Sequence, residues 1–291
     1  MRRVGALEVS ELALGSWRTY EHISREDGVA VLRAARECGI TFLDDARYND
    51  ETGTAPMPTG WSEVVFGELF RASGWPREDA VVANKLWWEF WPEESAAQEL
   101  DGSLERMGFD YLDLVYAAEP PERLDLEELV ASVTALVDAG KVRAWGVLNW
   151  PPELLTAAVE LAETQPCAAQ VPYNVVLREH AAAVDERVAV IASAALWFGA
   201  LTGTRGRRTA ESDDPDVLRA FAVAEELAAL GADVGATPAQ LALAFCLADE
   251  HVGSVLFGAS RPEQVRENAG ALGVLADLTA DELRRLRAIG A

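Results

Sequence analysis

Residues 139–152 read Ala139-Gly140-Lys141-Val142-Arg143-Ala144-Trp145-Gly146-Val147-Leu148-Asn149-Trp150-Pro151-Pro152. Upstream, residues 126–139 place apolar side chains at helical period. Gly140 stands where that helix must stop, because glycine takes the left-handed cap without a Cβ penalty. Residues 142–148 form a short apolar run suited to a strand buried on both faces. Pro152 then fits the first turn of a new helix, where a missing N–H costs nothing. Helix, stop, buried strand and helix start together spell a parallel α/β unit.

The unit recurs. Apolar runs at 11–15, 40–44, 80–84, 111–116, 142–148, 168–171, 188–193 and 253–257 alternate with helical patterns. Those patterns fall at 25–38, 63–72, 92–107, 126–139, 152–163, 217–230, 238–248, 262–272 and 280–289. Ser24, Thr237 and Thr279 supply caps, and Gly39 and Gly108 supply stops. Eight strands alternating with helices, with no linker between them, predict one α/β domain over residues 1–291, a (β/α)8 TIM barrel. Polar stretches at 49–60 and 202–216 predict long loops at the C-terminal face, where barrel active sites lie.

Composition narrows the partners. Acidic residues outnumber basic ones 48 to 25, for a net charge of −23. Such a surface repels phosphate backbones and anionic lipid, so neither nucleic acid nor membrane is expected. A basic start without an apolar core, and three scattered cysteines (Cys38, Cys167, Cys246), fit a cytoplasmic enzyme with a small-molecule substrate. The oligomeric state is not readable, and no metal site is indicated.

Only two lysines occur among the 25 basic residues, and one of them, Lys85, closes the third strand. Asp44 closes the second, so the two can meet in the barrel mouth. They form either a structural ion pair or a cation that lowers the pKa of a nearby tyrosine.

From here the chain resembles the aldo-keto reductases over nearly its whole length. The matching segments are Ile40-Thr41-Phe42-Leu43-Asp44 with Ala46, Ser62-Glu63 with Gly67, and Lys85. Further along they are Tyr111-Leu112-Asp113-Leu114, residues 140–150, Gln170 with Tyr173-Asn174, and Gly258-Ala259-Ser260-Arg261-Pro262. The resemblance implies reduction of carbonyls with NADP(H), with Asp44, Tyr48 and Lys85 as catalytic residues. It implies that Asn149 and Gln170 hold the nicotinamide carboxamide. Gly258, Ser260, Arg261, Gln264, Glu267 and Asn268 would hold the adenosine end; an arginine opening a helix also suits a 2′-phosphate.

Three positions depart from the family pattern. Asn49 occupies the usual tyrosine position, with Tyr48 one residue early. Ala118 replaces a histidine, and Ser193 replaces a stacking tyrosine. Tyr20, His22 and Glu119 are lesser candidates for the acid. Trp17, Trp87, Trp88, Trp150 and Trp197 each follow a strand, which predicts an aromatic rim for a bulky substrate, with some of the tryptophans packing under the loops instead. The expected activity is NADPH-dependent reduction of a carbonyl or imine-like group of a bulky hydrophobic or aromatic molecule. The alternatives are a non-redox dehydratase, isomerase or cyclase on the same barrel, or an NADPH-binding module with little turnover.

Overall fold

The computed structural model describes residues 1–205, 209 and 213–290. Eight parallel strands close into a barrel. In chain order they are β3 (Leu12–Gly15), β4 (Phe42–Asp44), β5 (Val81–Leu86) and β6 (Leu112–Ala118), then β7 (Val142–Leu148), β8 (Ala168–Pro172), β9 (Ala189–Ser193) and β10 (Val252–Phe257). Neighbours in sequence are neighbours in the barrel, and β10 pairs with β3 to close it. All eight apolar runs read from the sequence are barrel strands.

Helices α1 (Arg25–Glu37), α2 (Trp61–Ser73), α3 (Ala96–Met107), α4 (Leu126–Asp138) and α5 (Pro152–Leu161) follow the first five barrel strands. A short α6 (Glu179–Ala182) follows β8, while α7 (Pro215–Val234) and α8 (Pro238–Leu247) follow β9. After β10 come α9 (Pro262–Ala269), α10 (Ala271–Asp277) and α11 (Ala280–Ala288). Gly39, Gly108 and Gly140 all carry positive φ, as helix stops require. The expected loop at 202–216 lies partly outside the described residues. No single described helix is long and apolar enough to cross a membrane.

Several features were not legible, the short α6 among them. A hairpin of β1 (Arg2–Val4) and β2 (Leu7–Val9) lies beneath the barrel and buries Val4, Leu7 and Val9 against interior residues such as Phe42 and Leu114. Its three-residue strands carry Arg2, Arg3 and Glu8, so the apolar alternation is too short to register. The run at 262–272 is two helices rather than one, meeting at Gly270. Helix α3 begins at Ala96 rather than near 92, because Ser95 and Gln98 form a capping box there.

Helix spacing is set by a glycine. A Cβ on Gly67 would stand 2.1 Å from the main-chain oxygen of Met107, so α2 meets the end of α3 only because that atom is missing. Alanine is the better helix former by about 1 kcal/mol, but backbone overlap costs more. Gly67→Ala should therefore destabilise the fold by about 1–3 kcal/mol, read as a lower urea midpoint. An unchanged or higher midpoint would refute the close approach.

Candidate active site

Asp44 ends β4 opposite Ala83 of β5. Lys85 lies two residues further along β5, so it shares the interior phase one pleat nearer the mouth. Its Nζ donates to Asp44 Oδ1 at 2.6 Å and to the main-chain oxygen of Asp45 at 3.1 Å. From the far wall, Gln170 Nε2 donates to Asp44 Oδ2 at 3.0 Å. These three side chains are almost wholly buried, so an unpaired charge here would be costly. Both carboxylate oxygens are satisfied, and two of the ammonium's three protons are used. The rings of Tyr48 and Tyr116 flank Nζ at 5.6 and 5.8 Å.

Tyr48 is placed by the foot of the loop that follows it. Its N–H reaches Ala46 O (2.9 Å) and Ser62 Oγ (3.2 Å), while the Ser62 hydroxyl donates back to Ala46 O at 2.6 Å. Gly60 N–H closes onto Tyr48 O at 2.9 Å, and Asn49 bridges to Thr59. The neck needs Gly60, whose φ is +80°. Tyr48 then lines a cavity of about 440 Å³ with Trp17, Trp87, Arg47, Glu51 and Glu89. Its ring lies 6.3 Å from Trp17 and 6.2 Å from Trp87, and Trp17 meets Phe198 edge-on at 5.5 Å.

The electrostatics run against the expected activation. Burial, followed by the charges of Asp44, Asp45, Glu21 and Glu63, pushes the Tyr48 phenol well above its ordinary range. Lys85 does not reverse this, because Asp44 already engages its charge. Asp45 is also fully buried. It accepts a hydrogen bond from Ser16, but its Oδ2 has no partner. Burial and the neighbouring Glu63 raise this carboxyl well above the usual carboxylate value. The site therefore holds protons firmly.

The tryptophans divide. Trp17 and Trp87 line the cavity. Trp88 is buried, donating from Nε1 to Ala118 O at 3.1 Å and packing edge-on against Trp91. Trp150 is buried with its indole nitrogen unpartnered, and Trp197 is half-buried, just before Phe198. Arg47 is ion-paired to Glu94 (2.9 Å) and Glu99 (3.0 Å), and the Glu99 carboxylate also accepts the N–H groups of Trp87 and Trp88. Tyr20 is buried in a stacked contact with Phe66, and Glu119 faces solvent.

Along the rim, Asn149 closes β7 at φ +54°, exposed, with its N–H on Gln170 O at 3.0 Å. After β10, Gln264 Oε1 accepts from Ser260 N (2.9 Å), Ser260 Oγ (3.1 Å) and Arg261 N (3.1 Å), which shapes the turn into α9. Gly258, Arg261 and Glu267 are exposed, and Asn268 is buried. Arg261 makes no ion pair among the described residues. Sequence reading did not single out Ser16, Asp45, Tyr116 or Phe198 as site residues; only Asp45, next to Asp44, carried a local signal.

The buried carboxyl has a measurable consequence. The unfolded chain releases the Asp45 proton in the ordinary acid range while the folded chain keeps it. Stability attributable to this group therefore falls as pH rises through that interval. Asp45→Asn preserves the acceptor for Ser16 and removes the titration. Relative to the parent, the variant should gain stability as pH rises from about 4 to 8, by at most about 1.4 kcal/mol per pH unit for the one proton concerned. Denaturant titrations at both pH values test this, and a difference that does not grow with pH would refute it.

Comparison with known proteins agrees with this architecture. Residues 11–291 match the sequence profile described as the Aldo/keto reductase family. A rice protein named "Probable voltage-gated potassium channel subunit beta" (Oryza sativa subsp. japonica) is 27% identical, covering 97% of this chain and 93% of its own. The Arabidopsis thaliana protein of the same name is 26% identical over the same shares. An aldo/keto reductase from Klebsiella pneumoniae, solved with NADP and acetate, superposes with a TM-score of 0.73 at 27% identity, covering 97% of this chain and 92% of that one. With the profile spanning nearly the whole barrel, this chain belongs to the aldo/keto reductase family.

Proposed function

We propose that the protein is an NADPH-dependent oxidoreductase that reduces a carbonyl or imine-like group of a bulky hydrophobic or aromatic small molecule. The observation that carries this reading is the buried Lys85–Asp44 pair whose ammonium lies 5.6 Å from the ring of Tyr48, which itself lines a cavity with Trp17 and Trp87. The similar Klebsiella structure holds NADP, and the residues present here suit that group. Arg261 is an exposed guanidinium at the start of α9 with no carboxylate partner among the described residues, Gly258 leaves the main chain open beside it, and Asn149 offers an exposed amide.

Bound reduced nicotinamide supplies a hydride. Asn149 and Gln170 would orient its carboxamide, and Gly258, Ser260, Arg261, Gln264, Glu267 and Asn268 would form the adenosine end. Tyr48 donates a proton to the oxygen of the reduced carbonyl. The catalytic set is an altered one, since Ala118 provides no side-chain donor at the end of β6. Because burial and the neighbouring carboxylates keep the phenol protonated, it is supplied as an acid across the neutral range and serves reduction.

Tyr48→Phe should reduce carbonyl turnover by about 10²–10⁴-fold, the usual worth of a general acid, while NADPH affinity stays the same. In the parent, carbonyl reduction should be flat from about pH 6 to 9, and alcohol oxidation should climb with pH as the phenol begins to ionise. NADPH absorbance with aromatic aldehydes, quinones and polycyclic ketones measures both. A Tyr48-independent rate would remove the assignment.

Arg261→Ala should weaken NADPH by about 1.5–3 kcal/mol, the worth of a charge-assisted hydrogen bond, and leave NADH nearly unaffected. Tryptophan fluorescence titration with each nucleotide decides it; equal losses would place the phosphate elsewhere. The names of the two plant relatives favour a second reading, a nucleotide-binding module coupled to a partner protein. NADPH bound but never oxidised across the substrate panel would select it. Product formed without NADPH consumption would instead select a non-redox enzyme.

A further inference from the structure

The barrel mouth already holds cations between aromatic faces and carboxylates. The Arg18 guanidinium lies 4.9 Å from the Trp17 ring centre and is ion-paired to Glu51. Arg47 lies 5.2 Å from the Phe90 ring centre, with Glu94 and Glu99 at 2.9 and 3.0 Å. Lys85, deeper in, is held by Asp44. Each of these cations is committed and the carboxylates outnumber them: Glu89, which lines the cavity, lies 3.8 Å from the Arg47 guanidinium that already serves Glu94 and Glu99, and Glu21 and Asp50 stand beside the cavity. Their field reaches both the cavity and each other. Asp44 and Glu21 act on the Tyr48 hydroxyl, and Asp50 acts on Glu21. A space of about 440 Å³ lined by Trp17, Tyr48 and Trp87 therefore carries surplus negative potential beside aromatic rings, the environment that recognises organic cations.

A second feature points the same way. At the end of β6, Ala118 offers no side-chain donor, and its carbonyl is occupied by Trp88 Nε1. An oxyanion formed on a reduced carbonyl would face carboxylates, with Tyr48 and the one uncommitted proton of Lys85 as its side-chain donors from the proposed catalytic set. Sites that lose one such donor commonly lose about 10²–10³ in rate.

Building on the reductase reading, the geometry points to an iminium cation, C=N⁺ flanked by an apolar or aromatic group, as the substrate of this cavity. The electron count closes without an acid. Hydride adds to the iminium carbon, the C=N π pair becomes the nitrogen lone pair, and the nicotinamide is oxidised. A C–H bond breaks on the reductant and one forms on the substrate; no proton is consumed for an N-alkylated iminium. The positive charge passes from substrate to nicotinamide ring without leaving the site, so the surrounding carboxylates favour it before and after transfer. A carbonyl would develop negative charge in the same field. The missing donor and the acidic wall thus cease to be defects.

Two measurements test this. In the cofactor-free protein, tryptophan fluorescence titration with trimethylphenylammonium and its neutral isostere tert-butylbenzene should show the cation bound roughly tenfold tighter, on the scale of desolvated cation–π contacts. Glu89→Gln should shrink that preference several-fold. Equal binding of the pair would overturn the proposal. In turnover with NADPH, N-methyl-3,4-dihydroisoquinolinium should be reduced faster than α-tetralone. Tyr48→Phe should slow the ketone by at least about 100-fold and the iminium by less than about tenfold. Reduction of the ketone but not the iminium overturns the inference and leaves the reductase reading standing. If NADPH binds and neither compound oxidises it, the reductase reading falls and the inference with it.

Discussion

The structure turns on one ammonium buried in the mouth of a closed sheet. Taking Lys85 and Asp44 out of water costs several kcal/mol per ion, and their attraction repays this only with good geometry and further hydrogen bonds to both groups. Here β4 supplies the carboxylate, β5 the ammonium, and β8 reaches across the barrel with Gln170 to take the second carboxylate oxygen. The carbonyl of Asp45 takes another ammonium proton. Only a closed barrel brings strands from opposite walls close enough for this. Removing either ion would leave the other buried and uncompensated, at about 3–5 kcal/mol. Closure and site geometry are therefore one constraint.

Around that pair, the chain's excess of acid becomes a local property. Asp45, unpartnered at Oδ2, and Tyr48, inside a ring of carboxylates, are both held in their protonated forms. Arg47 is absorbed by Glu94 and Glu99 and serves to fix the turn carrying Trp87 and Trp88. The mouth is thus rich in carboxylates, held protons and aromatic rings.

The barrel was legible because strands buried on both faces appear as continuous apolar runs between glycine stops and capped helices, as in residues 139–152. Asp44 and Lys85 were legible because each closes such a run. The hairpin under the barrel was not, since Arg2, Arg3 and Glu8 break a pattern only three residues long. The break at Gly270 was hidden too. It depends on Gln240, distant in sequence, donating to Glu267 O and standing 2.5 Å from where a Gly270 Cβ would lie. The direction of the Tyr48 shift escaped for the same reason. Spacing announced the nearby cation, but burial and contributions from Glu21 and Glu63, on separate elements, outweigh it. Phe198, rather than its neighbour Trp197, meets Trp17 because the chain there passes through positive φ.

The neck formed by Ala46, Tyr48, Gly60 and Ser62 separates two kinds of change. Its hydrogen bonds anchor Tyr48 to the first turn of α2, while residues 50–58 hang beyond the Asn49–Thr59 bridge. Lengthening a loop whose ends are already joined costs only logarithmically in entropy, about 0.6 kcal/mol per doubling. The segment is accordingly an interchangeable appendage. Insertions or deletions at its tip can redraw the entrance without disturbing the phenol at its root, so ligand preference in such a barrel can drift between relatives while the apparatus beneath it is inherited intact.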